Sequence, residues 1–270
     1  MRIGRKSHLG AKCGTMHGAL DDLLADVAAG RRTVDDAASA LRSLGYVGVG
    51  DFARLDVTRG ARAGTPEFVY GEAKSVEQLV AIVAGYLEHS DTVLCSRTSA
   101  EQAAAVAEHH PGADYDPRSR VLVVRRPDAA PLAARGVAGV LAAGTSDVGV
   151  AEEAAAVCRS MGVTVVSAYD VGVAGLHRLA GPLDEMRAAG AAAIVVAAGM
   201  EGALPSVVAG LVDVPVIGLP TSTGYGLGGR GEAALLGMLQ SCSPGLVVVN
   251  IDNGVGAGAT AALIARRGAG

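Results

Sequence analysis

Apolar and polar positions in the second half of the chain alternate in blocks. Five mainly apolar, β-type runs, at 139–143, 164–168, 191–198, 215–219 and 246–249, each end in a cluster of glycine and small polar residues, and a stretch with helical spacing follows. Continuous apolar runs are what strands covered on both faces look like. The runs start 24 to 31 residues apart, the length of a right-handed βα repeat. Helices are predicted at 150–161, 177–189 with a break near Pro182, 202–211, 231–242 and 258–267. This pattern predicts an α/β fold over residues 127–270: a doubly wound parallel sheet, flavodoxin-like or Rossmann-like. In such a sheet all the polar clusters lie on one edge, where ligands bind.

The first half is patterned differently. Residues 20–30 and 33–44 carry helical spacing and predict a small hairpin. Thr33 with Asp36 comes close to a capping box, and Gly45 stops the second helix. Residues 51–74 are dense in charge and glycine and show little apolar periodicity. A helix (76–88), a strand (92–96), a helix (100–109) and a strand (121–125) follow, either as a small α/β unit or as the start of the large sheet. Pro127 and Pro131 mark 125–135 as a surface linker. The expected organisation is a tail at 1–18, a helical and small α/β region at 19–126, and the nucleotide-binding α/β domain at 127–270.

Composition narrows the function. Half of the 270 residues are hydrophobic, with no Trp and two Phe, so the core is aliphatic. A net charge of −4 argues against a non-specific nucleic-acid binder. Arg2, Arg5, Lys6 and Lys12 make residues 1–15 basic, but no apolar segment of a secretory signal accompanies them. That start reads as a disordered tail, with Met16 an alternative initiator. No uninterrupted apolar stretch reaches membrane-spanning length. Cys13, Cys95, Cys158 and Cys242 form no C-x-x-C pair and suggest neither a disulfide framework nor a zinc site. A cytoplasmic protein with free thiols is expected. Apolar helical surface with few aromatics suits a closed homo-oligomer.

Each polar cluster carries a chemical and a structural reading. In Gly144-Thr145-Ser146-Asp147, amides at a helix start and two hydroxyls suit a phosphate; plain N-capping by Ser146 or Asp147 is the alternative. In Gly199-Met200-Glu201-Gly202, the glycines allow close backbone approach. Glu201 there is placed for acid–base work or for stabilising a helix N-terminus. Thr221, Ser222 and Tyr225 stand in a glycine-rich loop that matches neither a Walker motif nor a dinucleotide fingerprint. It reads as a phosphate cradle, a lid or a flexible loop. His177, beside Arg178, titrates in the working range or caps a helix. Cys242, at the end of a predicted helix, reads first as a buried inert cysteine, and the helix C-terminus would raise its pKa. No His/Asp/Glu spacing suggests a dedicated metal cage; a magnesium ion held with substrate phosphates stays open.

These clusters, extended, resemble a known family. Gly144-Thr145-Ser146-Asp147 with Val150-Ala151-Glu152-Glu153-Ala154, the run from Tyr169-Asp170 to Leu176-His177-Arg178, and Ala198-Gly199-Met200-Glu201-Gly202-Ala203-Leu204-Pro205-Ser206 are three of its blocks. Pro220-Thr221-Ser222, Gly224-Tyr225-Gly226 and the segment from Ser241-Cys242 to Asn250-Ile251-Asp252-Asn253-Gly254 are others. Leu55-Asp56, Arg59, Arg62, Gly64, Pro66-Glu67, Gly71 and Lys74 fit its N-terminal signature. The chain is similar to the LarB family of nickel-pincer cofactor biosynthesis, the pyridinium-3,5-biscarboxylic acid mononucleotide synthases. The second half also resembles the purine-pathway aminoimidazole ribonucleotide carboxylase/mutase family, but reads Ser167-Ala168-Tyr169-Asp170 where that family has Ser-Ala-His-Arg.

The resemblance implies carboxylation of nicotinic acid adenine dinucleotide at C5 of its pyridinium ring, with carbon dioxide or bicarbonate as carbon source. Hydrolysis of the phosphoanhydride then releases AMP. It implies Cys242 as nucleophile, Glu201 as base or carbon dioxide-site residue, and Ser146 and Asp147 as the nucleotide holders. It further implies substrate contacts from Gly144, Thr145, Asp170, His177, Gly199, Met200, Gly202, Thr221, Ser222, Tyr225, Asn250 and Asp252. Arg59, Arg62 and Lys74 bind substrate anions or, alternatively, form a salt-bridged subunit surface. No tightly bound cofactor, nucleic acid or membrane is expected, and the homo-oligomer is an octamer by resemblance. The alternatives are the purine carboxylase/mutase reaction and a non-catalytic nucleotide-binding regulator.

Overall fold

The computed structural model describes residues 16–43 and 46–268. The expected tail lies outside them, except for Met16–Gly18, which already belong to a helix. That helix, α1 (Met16–Ala28), and α2 (Val34–Ser43) pack together as the predicted hairpin. Thr33 Oγ1 accepts from Asp36 N at 3.1 Å and donates to the Asp36 carboxylate at 2.7 Å.

The stretch 51–74 is more ordered than its sequence suggests. A short antiparallel hairpin, β1 (Val47–Val49) and β2 (Ala53–Leu55), leads to α3 (Arg59–Ala63) and β3 (Phe68–Tyr70). Three-residue strands are too short to display a period, and each of β2 and β3 buries only one side chain, Leu55 and Val69. Next come α4 (Val76–Leu87), β4 (Thr92–Ser96), α5 (Ala100–His109), β5 (Ala113–Asp116) and β6 (Val121–Arg125). Ser75 with Gln78, and Ser99 with Gln102, make full capping boxes at the starts of α4 and α5. The strands form a separate four-stranded sheet in the order β3-β4-β6-β5, with Leu79, Ile82, Val83, Val93, Leu122 and Val124 in its core. The small α/β unit is therefore not an extension of the large sheet. Its edge strand β5 escapes the sequence pattern because Ala113-Asp114-Tyr115-Asp116 has no apolar run.

The second half holds β7 (Val137–Ala142), α6 (Val148–Ser160), β8 (Thr164–Ala168), α7 (Ala180–Ala188), β9 (Ala191–Ala198), α8 (Leu204–Ala209), β10 (Val216–Pro220), α9 (Glu232–Leu239), β11 (Leu246–Val248) and α10 (Gly254–Gly268). All pairings are parallel, in the order β11-β10-β9-β7-β8. This is the flavodoxin-like order, and the winding direction reverses between β7 and its two neighbours. Helices α6 and α10 cover one face, and α7, α8 and α9 cover the other.

Two predicted helices differ from expectation. Pro182 breaks nothing: it is the third residue of α7, where a missing N–H costs no intrahelical bond. The break comes earlier, in a 3₁₀ segment at Val173–Arg178 where Gly175 is non-helical. Helix α9 ends at Leu239, so Cys242 lies in the following loop. Among the described residues no helix is long and apolar enough to cross a membrane.

Candidate active site

The carboxyl ends of the central strands open into a crevice of about 340 Å³. It sits at the switch point, where neighbouring βα loops diverge and leave space. The loop after β7 contributes Gly144, Ser146 and Asp147. The loop after β8 contributes Asp170, Val173, Ala174 and Arg178. The loop after β9 contributes Gly199, Met200 and Glu201, and Thr223 comes from the loop after β10. A larger opening of about 510 Å³ lies under the linker, near Arg125 and Arg159. It borders Gly162–Thr164, at the amino edge of the sheet, and carries no nucleophile or carboxylate.

Hydrogen bonds lace the crevice loops together. Asp147, 4% exposed, accepts from Gly144 N at 2.9 Å and from Thr221 Oγ1 at 2.6 Å. Thr221 is fully buried. Met200 N donates to Thr223 O at 2.9 Å, and a Cβ at Gly199 would sit 2.2 Å from that same oxygen. Glycine is thus what lets the β9 and β10 loops touch. Ser222 N donates to the Asp252 carboxylate, and Asp252 N donates to Pro220 O, each at 2.8 Å. Asp170, Met200, Arg230 and Asp252 all have φ between 52° and 63°. Each costs on the order of 1 kcal/mol, a kind of strain that gathers at functional sites.

The crevice is rich in acid. Among the described residues, Asp147, Asp170 and Glu201 line it with a single cation, Arg178. Glu201 is exposed, and its carboxylate has no hydrogen-bond or ion-pair partner among the described residues. Arg178 Nη1 donates to Asp170 at 2.5 Å. Tyr169, beside Asp170, turns its hydroxyl to the Glu152 carboxylate; burial and that bond push the phenol up to about 12.

Of the residues singled out from sequence, Gly144, Ser146, Asp147, Asp170, Gly199, Met200 and Glu201 line the crevice. Thr145, Gly202, Thr221, Ser222, Tyr225, Asn250 and Asp252 stand on the same edge as its frame or rim. His177 is exposed and outside the lining; Arg178, its neighbour, is the residue that enters. The sequence offered one signal for Arg178, namely that an acid in a ligand crevice, Asp170, calls for a cation nearby.

Arg59, Arg62 and Lys74 do not converge on the crevice. Arg62 pairs with Asp56, and Lys74 Nζ donates to Tyr70 O at 2.8 Å. The carbonyl of Gly64, just after α3, accepts from Arg266 at 3.1 Å. Arg266 is in the last turn of α10, beside the amino ends of the strands, so α3 belongs to the far edge.

Cys242 is also absent from the lining. Its loop runs from α9 to Gly245, whose carbonyl accepts from Val216 N at 3.0 Å, at the amino edge of β10. Ser206 pins the loop to α8: its Oγ donates to Ser241 Oγ at 2.8 Å, and its carbonyl accepts from Ser243 Oγ at 2.9 Å. Cys242 is nonetheless the one exposed thiol among the described cysteines. Cys95 and Cys158 are buried, and desolvation pushes both up to about 12. Cys242 lies three residues beyond the end of α9. Among the described residues no group of three or more His, Cys, Asp or Glu side chains could hold a metal ion.

Two family models match separate parts of the chain. Residues 46–126 match the family described as the LarB/PurE-like N-terminal domain, and residues 137–269 match AIR carboxylase. An uncharacterized protein of Methanocaldococcus jannaschii is 40% identical over 252 residues, covering 92% of this chain and 97% of that relative.

Proposed function

The chain belongs to the LarB family, and from that premise we propose that it carboxylates a pyridinium dinucleotide. Its two domains support a carboxylase-type function. The finer reading is carboxylation of nicotinic acid adenine dinucleotide at C5, followed by hydrolysis of the phosphoanhydride to give AMP and the 3,5-dicarboxylated mononucleotide. The observation that carries it is the charge of the crevice, three carboxylates against one guanidinium. That balance suits a cationic ring bearing a carboxylate.

A pyridinium ring is electron-poor and does not attack carbon dioxide. Addition of the Cys242 thiolate to the ring forms a C–S bond and moves an electron pair into the ring, giving a neutral dihydropyridine. Its enamine carbon C5 attacks carbon dioxide and forms the new C–C bond. A base removes the C5 proton, and the C–S pair returns to sulfur as the thiolate leaves and the ring regains its charge. This is covalent catalysis that divides one difficult step. Glu201, unpartnered at the rim, is the base. Ser146 holds the nucleotide against the start of α6, on a loop that Asp147 fixes through Gly144 and Thr221. Magnesium, where it takes part, arrives with the substrate phosphates.

Cys242 is not among the residues lining the crevice of one chain, so this reading draws Cys242 from a second copy. The apolar outer face of α9, with Leu236 65% and Leu239 63% exposed, supports such an assembly. Tyr169 and Asp170 disfavour the purine reaction, since they place a phenol and an acid where the purine enzymes carry His-Arg.

The test is mass spectrometry of purified protein with nicotinic acid adenine dinucleotide and labelled bicarbonate. AMP and a labelled dicarboxylated mononucleotide are expected, and Cys242→Ala should lose the label. Label incorporation into aminoimidazole ribonucleotide instead would move the assignment to the purine reaction. Undiminished product from Cys242→Ala would remove the thiol from the scheme.

A further inference from the structure

We infer that Arg178 reads the carboxylate on the substrate ring and so selects a pyridinium acid over its amide; this rests on the carboxylase reading above. Among the described residues Arg178 is the only cation lining the crevice, and its position is built rather than incidental. Its guanidinium lies across Gly175, where a Cβ would sit 2.7 Å from Nε and 3.0 Å from Nη2. Gly175 is held at φ −147°, ψ 59° inside an otherwise 3₁₀ segment. On the other side, Asp170 takes a left-handed backbone, φ 58°, and its carboxylate accepts from Nη1 at 2.5 Å. Two unusual backbone positions thus converge on one side chain. Nη2 has no hydrogen-bond partner among the described residues, which leaves an edge of the fork for a ligand.

The choice between carboxylate and phosphate follows from the surroundings. Val173 and Ala174, in the same segment as Arg178, line the crevice together with Met200 and Leu204, and they offer apolar walls to a flat ring. A phosphate dianion placed at Arg178 would also meet Asp170 and, at the rim, Glu201. A ring carboxylate carries one charge, and the cationic ring attached to it is attracted by those same acids. Planar, directed recognition of a carboxylate is what guanidinium does well. The phosphate has another place, at the Ser146 and Thr145 hydroxyls and the start of α6.

The experiment is calorimetric titration of the full-length protein with nicotinic acid mononucleotide, nicotinamide mononucleotide and ribose 5-phosphate. The wild type should prefer the acid over the amide by about tenfold or more, and Arg178→Gln should erase that preference. Arg178→Lys, which keeps the charge but not the fork, should fall between. Ribose 5-phosphate should bind all three proteins alike, which also reports that the variants are folded. A wild type without the preference, or an Arg178→Gln protein that keeps it, overturns the inference. So does loss of ribose 5-phosphate binding in a variant whose circular dichroism matches wild type, because Arg178 would then hold the phosphate. The carboxylase reading fails separately, if a wild type with the Arg178-dependent preference fixes no labelled bicarbonate.

Discussion

Asp147 is committed on both oxygens, to Gly144 N and to the fully buried Thr221 hydroxyl. It holds the β7 and β10 loops at one spacing. Removing a donor from a buried carboxylate costs about 1.5–3 kcal/mol. Thr221→Val should therefore lower the unfolding free energy from urea titration by that much and weaken nucleotide binding with it; an unfolding free energy equal to wild type would show that the bond carries no stability. Glu153 gives a pH signature. It is 3% exposed, burial raises its pKa, and the Arg97 guanidinium pulls against the rise. A raised acid pKa favours the protonated form in the folded state. The stability it contributes is present at low pH and is lost as pH rises through the folded pKa. Urea midpoints of wild type relative to Glu153→Gln should thus fall as pH rises above the ordinary glutamate range; a flat difference would mean Arg97 fully compensates the burial. At this scale the sequence was legible where chemistry is local. Ser146, Asp147 and Glu201 could be found because each follows a strand within a few residues. Arg178 was signalled only by the acid at Asp170, because the kink at Gly175 that brings the two together is not legible in the sequence, and Cys242 was legible as a thiol but not in its place.

The five βα repeats were readable because the long buried strands β7, β9 and β10 leave apolar runs, and the more exposed β8 and β11 repeat their spacing. The short strands β2, β3 and β5 were not, since three or four half-exposed residues carry no periodicity. Nor did the pattern reveal how closely α10 approaches α6. A Cβ at Gly258 would lie 2.3 Å from Ala154 O, and Cys158 Sγ donates to Gly258 O at 3.2 Å. Alanine would gain up to about 1 kcal/mol of helix propensity over glycine. The obstacle is a helix carbonyl that cannot rotate away, and overpacking costs about 1–3 kcal/mol. Gly258→Ala should therefore be less stable than wild type by thermal melting, and a raised melting temperature would show that the two helices can separate without loss. The same glycine-rich register places Gly254 against Glu153 and lets Arg97 Nη2 reach Asp252 O at 2.5 Å. The small domain is thereby tied to the loop that frames the crevice.

At the scale of the molecule, one chain separates the two groups that the proposed chemistry joins. Glu201 opens at the carboxyl edge of the sheet, and the loop of Cys242 runs to the amino edge. Exposed apolar side chains stand between and around them: Leu236, Leu239, Tyr225, Leu227 and Val247. Isolated apolar residues on a surface need no explanation, but a helix whose outward positions are leucine calls for a partner. Closed homo-oligomers meet that need with the same patch on each copy. If the crevice of one copy takes Cys242 from another, two different defects can be separated into different chains. Cys242→Ala and Glu201→Gln proteins, each inactive alone, should then regain activity when unfolded together and refolded as mixed assemblies. Random pairing leaves one intact crevice in about half of the dimeric units, so roughly a quarter of wild-type activity should return. Leu236→Glu, which charges the shared face, should shift the assembly toward monomers in light scattering and abolish that recovery. Mixed assemblies that stay inactive, though fully associated, would mean that each chain supplies its own sulfur, and the Cys242 loop would then have to swing from the amino edge past α8 and break both of its bonds to Ser206.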